Sequence, residues 1–361
     1  MSCKIEEQLQ AVIQEISGPN EAKRKEAGEL LDRLFKPIAG LGLLEGILSQ
    51  IAAIQDSLYL DMRKKAVVVM CADNGVVEEG VSQTDNQITA MVTKNMATGD
   101  SSVCRMCKVV GADVIPVDLG VASDVIAPGL RIHKLAYGTT NMKKSPAMSR
   151  EQAVEGILVG IETVKELKDA GYRILGTGEM GIGNTTTSSA IASVLLGQPV
   201  EVVTGRGAGL NLEGIARKVE VIKEAIRINE PDASDPIDVL HKVGGFDIAG
   251  LVGVFLGGAR YHVPIVVDGV ISSVAALIAK RLCNEAALYM VPSHMGKEPA
   301  SKLLMDELGL TPIIHGELAL GEGTGAALLF PMLDMALTVY QMDQTFADYK
   351  VEAYERYEDT L

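Results

Sequence analysis

Apolar positions recur at helical spacing through the first sixty residues. Ile5, Leu9, Val12 and Ile16 fall on one face, as a period of 3.6 requires. Gly18-Pro19-Asn20 breaks that helix. A second is predicted over 21–35 and a third from about Gly42 to Tyr59. The texture changes at Lys65. Runs 66–70, 112–117, 172–175, 200–204, 264–267 and 288–291 are short and almost wholly apolar. Each is followed by a cluster of Gly, Asp, Asn or Ser, with helix-like segments between them. Such strands, alternating with helices, predict an α/β protein: a doubly wound parallel sheet covered on both faces. Ligands of such sheets bind beyond the strands' C-terminal ends, where every one of these clusters falls. Residues 326–357 return to helix, with a charged tail. They are expected to pack on the N-terminal helices as a smaller helical domain built from both termini. The expected division is 1–62 and 335–361 for that domain and 63–334 for the large one.

Composition narrows the chemistry. Apolar residues make up 47% of the 361 positions, enough for a large core, and aromatic residues only 4%, with no Trp. Stacking surfaces for bases are therefore not expected. The formal net charge of −14 disfavours nucleic acid and anionic membranes, which need clustered cations. An anionic substrate must instead be held by local amides and a few cations. Five cysteines at wide spacing do not form a disulfide framework. Cys104 and Cys107, three apart, read as two thiols on a helix rather than half a zinc site. Reduced thiols and the lack of a signal-peptide core point to the cytoplasm. No His, Cys or Asp spacing predicts a metal site, and no cofactor is expected.

The densest motif is Gly176-Thr177-Gly178-Glu179-Met180-Gly181-Ile182-Gly183-Asn184-Thr185-Thr186-Thr187. Its position between an apolar run and a small-residue run predicts strand, glycine loop and helix start. Such a loop brings backbone amides to an anion at a helix N-terminus, and three threonines add hydroxyls. It holds no lysine, so it is not the ATP-binding P-loop. Gly176, Gly178 and Gly181 also match the dinucleotide fingerprint, which wants an acid at the end of the next strand about 20 residues on. The next predicted strand ends at Val203-Thr204-Gly205, and Glu201 falls at its wrong edge. An NAD-dependent dehydrogenase and a plain tight turn therefore rank below a phosphate cradle. Within the loop, Glu179 would repel phosphate, so ribose hydroxyls suit it better. Asp73 and Asp268 end strands and could do the same, or cap the following helix.

Two further glycine loops lie at the same edge. In Gly205-Arg206-Gly207-Ala208-Gly209, Arg206 could grip a phosphate or carboxylate or be a solvated surface residue. Lys218, on the next helix, is expected by spacing alone to be solvated. Gly321-Glu322-Gly323-Thr324-Gly325 opens an apolar helix. Its carboxylate is a candidate general base, or a helix N-terminal acid favoured by the dipole. His294 after Ser293 is a candidate ligand contact.

Taken together, these segments resemble one family. The run 178–187 is similar to the signature of nicotinate-nucleotide:dimethylbenzimidazole phosphoribosyltransferases, which make the lower-ligand nucleotide of cobamides. Segments 75–82, 205–207, 267–269, 293–294 and 320–327 resemble family segments in the family's order. The resemblance implies the doubly wound domain, the small helical domain and a homodimer. It implies Glu322 as general base and a phosphate- and ribose-binding set of Gly178, Glu179, Gly181, Ile182, Gly183, Asn184, Thr185, Gly205, Arg206, Lys218 and Asp268. It places Ser82, Asn86 and Gln87 near the acceptor. The donor would be nicotinate mononucleotide and the acceptor 5,6-dimethylbenzimidazole, with a phenol or purine as the alternative in a hetero-oligomer. The chain departs from the family at Asn74, where histidine is common, and at Thr84-Asp85-Asn86, where proline is common.

Overall fold

The computed structural model describes residues 2–355. Three helices open the chain: α1 (Ser2–Gln14), α2 (Glu21–Arg33) and α3 (Leu43–Gln55). Asn20 caps α2 by accepting from the amides of Ala22 and Lys23, which is how the Gly-Pro-Asn break becomes a helix start. The sheet follows, with β1 (Lys65–Ala72), α4 (Asn86–Thr98), α5 (Ser102–Val110), β2 (Asp113–Gly120) and β3 (Arg131–Ile132). Next come α6 (Arg150–Asp169), β4 (Ile174–Met180), α7 (Asn184–Leu196), α8 (Val200–Val203), α9 (Leu212–Asn229), α10 (Pro236–Val243) and α11 (Phe246–Tyr261). The chain closes with β5 (Ile265–Val267), α12 (Val270–Leu282), β6 (Met290–Pro292), α13 (Ala300–Leu308) and α14 (Thr324–Tyr340).

Among the described residues six strands form one sheet, all parallel, in the order β3-β2-β1-β4-β5-β6. The order reverses between β1 and β4, the switch point of a doubly wound sheet. Side chains alternate across the sheet as a period of two demands. Ala66, Val68 and Met70 join the core under α6, α7, α11 and α12. Val67, Val69 and Cys71 join the core under α2, α3, α5 and α14. On the first face, glycines of α6 and α11 let the two helices touch backbone to backbone. A Cβ at Gly160 would strike the carbonyl of Gly250, and one at Gly253 the carbonyl of Ile157.

The segment after α2 meets the segment after α14. Leu34 bridges Thr345, the Phe35 amide donates to the Gln344 carbonyl at 3.0 Å, and Phe35 packs against the rings of Phe346 and Tyr349. Helix α1 lies elsewhere, against α6 and α11. No helix among the described residues is long and apolar enough to cross a membrane.

Three expectations change. Run 200–204 is the short helix α8, not a strand: after Pro199, Val200 and Val203 are buried while Glu201 and Val202 face solvent. Burial at i and i+3 is helical, and four apolar-rich residues are too few for periodicity to decide. The strand predicted at 172–175 continues to Met180, absorbing half of the expected glycine loop. The C-terminal helix stops at Tyr340, and 341–355 form turns and irregular chain; the end of the expected helix, 356–357, lies outside the described residues.

Candidate active site

A cavity of about 280 Å³ opens at the C-terminal edge of the sheet. Turns leaving three adjacent strands line it: Gly181 and Ile182 after β4, Asp268 and Gly269 after β5, His294 after β6. Asn184 and Thr185, in the first turn of α7, bring a helix N-terminus to the same wall. Glu179 at the end of β4 and Glu322 from the far end of the chain join the polar lining, as do Ser272, Lys297, Glu298 and Ser301. Ile88 and Val92 of α4, with Met180, Leu318 and Leu320, form an apolar wall. A side hollow of about 60 Å³ shares Gly181, Ile182, Asn184 and Thr185 and adds Gly183, Ser82 and Arg206.

The glycines of β4 serve packing rather than turning. A Cβ at Gly176 would stand 2.6 Å from the Ala326 side chain, and one at Gly178 would stand 2.5 Å from the Glu322 carbonyl. Strand β4 and the 321–325 loop approach each other only because these side chains are missing. Gly176 and Gly178 therefore do not line the cavity. Only Gly181-Ile182-Gly183 turns, with Gly183 at φ 94° as the residue before α7. Of the three threonines, Thr185 alone lines the cavity. Thr187 bonds back to the Asn184 carbonyl and Thr186 is fully buried.

Glu322 sits at φ 61° between Gly321 at φ 81° and Gly323 at φ 89°. Three successive left-handed residues are strained at the non-glycine, and neighbours hold the loop there. The Glu322 amide lies near the Glu179 carboxyl and favours its charged form. Its own Oε2 accepts from the Val103 amide at 3.1 Å, at the N-terminal turn of α5. The helix that anchors this acid is α5, not the α14 it precedes. Among the described residues, no donor reaches Oε1.

Behind the cavity lies a group of buried acids. Asn184 Nδ2 donates to Glu179 Oε2 and, at 3.0 Å, to Asp247 Oδ2. Burial pushes the carboxyls of Glu179 and Asp247 up to about 7; the charge of Asp268 adds to the rise at Glu179, and that of Glu179 to the rise at Asp247. Asp268 rises to about 6 through burial, partly offset by backbone amides. Its Oδ1 accepts from Gly325 at 2.7 Å and Ala326 at 3.3 Å. It thus caps α14, a distant helix, rather than the following α12. Asp73 accepts from the Ala122 amide and does not reach the cavity.

Lys218 is the largest departure from expectation. Spacing alone predicted a solvated helix lysine; it is wholly buried. Its Nζ donates to Thr185 Oγ1 at 2.8 Å and lies 3.4 Å from the Gly205 carbonyl. Burial depresses its ammonium to about 8. Arg206 faces the side hollow and is exposed. Ser82 reaches that hollow, while Asn86 and Gln87 begin α4 and line neither space. The residues of α4 that do face the cavity are Ile88 and Val92, one turn further on. An i, i+4 apolar pair was the signal available for them.

The two departures from the family pattern have structural partners. Asn74, fully buried, donates to the Ile182 carbonyl at 3.4 Å and braces the turn after β4. Asp85 caps α4 through the Gln87 amide at 3.0 Å. Cys104 and Cys107 lie on α5 as read; burial pushes the Cys107 thiol up to about 12. The dinucleotide alternative loses its geometry: the strand beside β4 in later sequence is β5, whose end at Val267 is followed by Asp268, far beyond the fingerprint's spacing of about 20 residues.

Comparison with known proteins agrees with this geometry. A family profile described as "Phosphoribosyltransferase" matches residues 16–351. A nicotinate-nucleotide–dimethylbenzimidazole phosphoribosyltransferase of Clostridium acetobutylicum is 46% identical over 96% of this chain and 99% of its own length. One from Acetivibrio thermocellus is 48% identical over 90% of this chain and 93% of its own length. A crystal structure of CobT from Thermus thermophilus superposes with a TM-score of 0.88 at 34% identity, covering 92% of this chain and all of that one.

Proposed function

The chain belongs to the nicotinate-nucleotide–dimethylbenzimidazole phosphoribosyltransferase family, and from that premise we propose how its cleft performs the transfer. The enzyme moves the 5-phosphoribosyl group of nicotinate mononucleotide to 5,6-dimethylbenzimidazole, giving α-ribazole 5′-phosphate and nicotinate for cobamide synthesis.

The donor's C1′–N bond joins ribose to a pyridinium ring. As that bond breaks, its electron pair returns to the ring nitrogen and nicotinate leaves uncharged at the ring. Departure needs no proton. The requirements are an anchored phosphate, a dry cleft and a base for the nucleophile. The first turn of α7, with Asn184, Thr185 and the Lys218 ammonium behind it, holds the phosphate. Gly181, Ile182, Gly183, Gly205 and Arg206 frame that end. Glu179 and Asp268 face the ribose hydroxyls, and the raised pKa of each keeps part of the population protonated and able to donate. Ile88, Val92, Met180 and Leu320 fit a flat aromatic acceptor, with Ser82 at the adjoining hollow.

One nitrogen of dimethylbenzimidazole attacks C1′ from the face opposite the leaving ring, so β becomes α. The proton on its other nitrogen passes to Glu322, whose Oε1 is uncommitted. Positioning of the two reactants can contribute roughly 7–11 kcal/mol. A single juxtaposition supports this chemistry: Glu322, from the distant 321–325 loop, lines the same cleft as the 181–185 turn and Asp268. Glu322→Gln is expected to keep donor binding and lose about 10²–10⁴-fold in kcat, read as nicotinate release by chromatography. Near-normal turnover in that variant refutes the base assignment.

We propose a small domain of 1–62 and 335–361 and a large one of 63–334; the contact of residues 34–35 with 344–349 favours it for α2 and α3, whereas α1 packs on α6 and α11 of the large domain. We further propose a homodimer acting in the cytoplasm, testable by light scattering and fractionation.

A further inference from the structure

The phosphate end of the cleft already contains an anion. Glu298 lies on the turn between β6 and α13. Its Oε1 accepts from the Gly207 amide at 3.0 Å, and its carboxylate is the charge that acts on the buried Lys218 ammonium. Gly205 must be glycine for the carboxylate to sit there, because a Cβ would collide with Glu298 Oε2. A Cβ at Gly207 would stand 2.6 Å from Thr185 Oγ1 and 3.5 Å from Lys218 Nζ. One backbone amide, one hydroxyl and one ammonium thus converge on a small volume, and a side-chain carboxylate reaches its edge.

Physical chemistry explains why a carboxylate belongs there. A fully buried ammonium without a counter-charge is costly. Glu298 supplies part of that charge from beyond direct ion-pair distance. A bound phosphate would supply it instead, and two anions against one ammonium repel each other. Glu298 is half-buried on a turn, so it can swing toward solvent when a stronger anion arrives.

We propose that Glu298 is a built-in occupant of the phosphate seat, displaced when the donor binds. Its role is selective. A ligand that brings only an anion must repay the whole displacement, whereas nicotinate mononucleotide brings ribose and ring contacts as well. Inorganic phosphate is thereby kept out of an open cleft. This inference rests on the phosphate being seated at Thr185 and Lys218, as proposed above.

Glu298→Gln tests it, because the amide oxygen can still accept from Gly207 while the charge is gone. Wild type, Glu298→Gln and Lys218→Met are titrated calorimetrically with inorganic phosphate, nicotinate mononucleotide and nicotinate riboside, which lacks the phosphate. If Glu298 holds the seat nine-tenths of the time, Glu298→Gln binds inorganic phosphate about tenfold tighter. The mononucleotide gains in the same direction and the riboside is unchanged. Glu298→Ala, as a second variant, is expected to move phosphate affinity the same way. Unchanged or weaker phosphate binding in both variants, with the riboside weakened in parallel, means that Glu298 only braces the 205–209 loop and overturns the proposal. If Lys218→Met binds the mononucleotide as wild type does, the seat itself is misplaced and the underlying assignment fails, a result distinct from the first.

Discussion

The two ends of this cleft solve opposite electrostatic problems. At one end, Glu179 and Asp247 share the amide of Asn184, with Asp268 close by, all removed from solvent and all lifted well above ordinary carboxylates. At the other, a single ammonium, Lys218, is buried and depressed to about 8. Both arrangements cost folding energy, since burial disfavours the charged form of either sign. The acid end gathers groups that can give or take a proton near neutrality, where the ribose is proposed to lie. The basic end holds one fixed charge for an anion and tempers it with Glu298. In a chain of net charge −14, the proposed phosphate seat depends on this local contrast rather than on the overall field.

Removing the cation should break the contrast most severely. Lys218→Met is expected to lose on the order of 100-fold in kcat/KM for the donor, since a hydrogen bond to a charged group is worth about 1.5–3 kcal/mol. Steady-state kinetics at saturating acceptor checks it. The same variant should be no less stable near pH 7 than wild type. A lysine with a depressed pKa contributes least to stability below about 8 and recovers its contribution only as pH rises toward 10.5.

The acid end should respond to pH with the opposite slope. Asp247 has a folded-state value near 7 against an ordinary 3.8. The folded state therefore binds the proton more strongly, and stability falls as pH rises from about 4 through 7. Asp247→Asn is expected to raise Tm at pH 8, by roughly 1–2 °C for each kcal/mol relieved in a chain of this length, and to lose that advantage at pH 4. Dye-based melting across pH suits a chain without tryptophan. A gap that does not vary with pH would mean that Asp247 is not the group responsible.

The smallest effect sharpens the same contrast. Arg206 is also cationic and also borders the hollow, but it is exposed. Arg206→Ala should raise the donor KM only a few-fold, within the roughly 0–1 kcal/mol typical of exposed charges. That effect should fade at high salt. A loss equal to that of Lys218→Met would show that burial is not what separates the two cations.

Much of this was legible in the chain. Alternating apolar runs specify a parallel sheet because strands buried on both faces admit almost no polar residues. Glycine and acid clusters after each run mark the edge where ligands bind. Glu322 stood out because a carboxylate between glycines has no role in a helix or strand. Other features were hidden, because local spacing says nothing of what a distant segment brings alongside. Lys218 reads as an ordinary helix lysine until the 205–209 loop closes over it. Gly176 and Gly178 read as a loop until Ala326 and the Glu322 backbone claim the space above them. Glu298 carries no signal at all, and Val200 to Val203 are too few to separate helix from strand. Local preference and hydrophobic period set the elements and the edge they share. Only the folded chain determined which charges lost their water, and that loss turns ordinary side chains into a site.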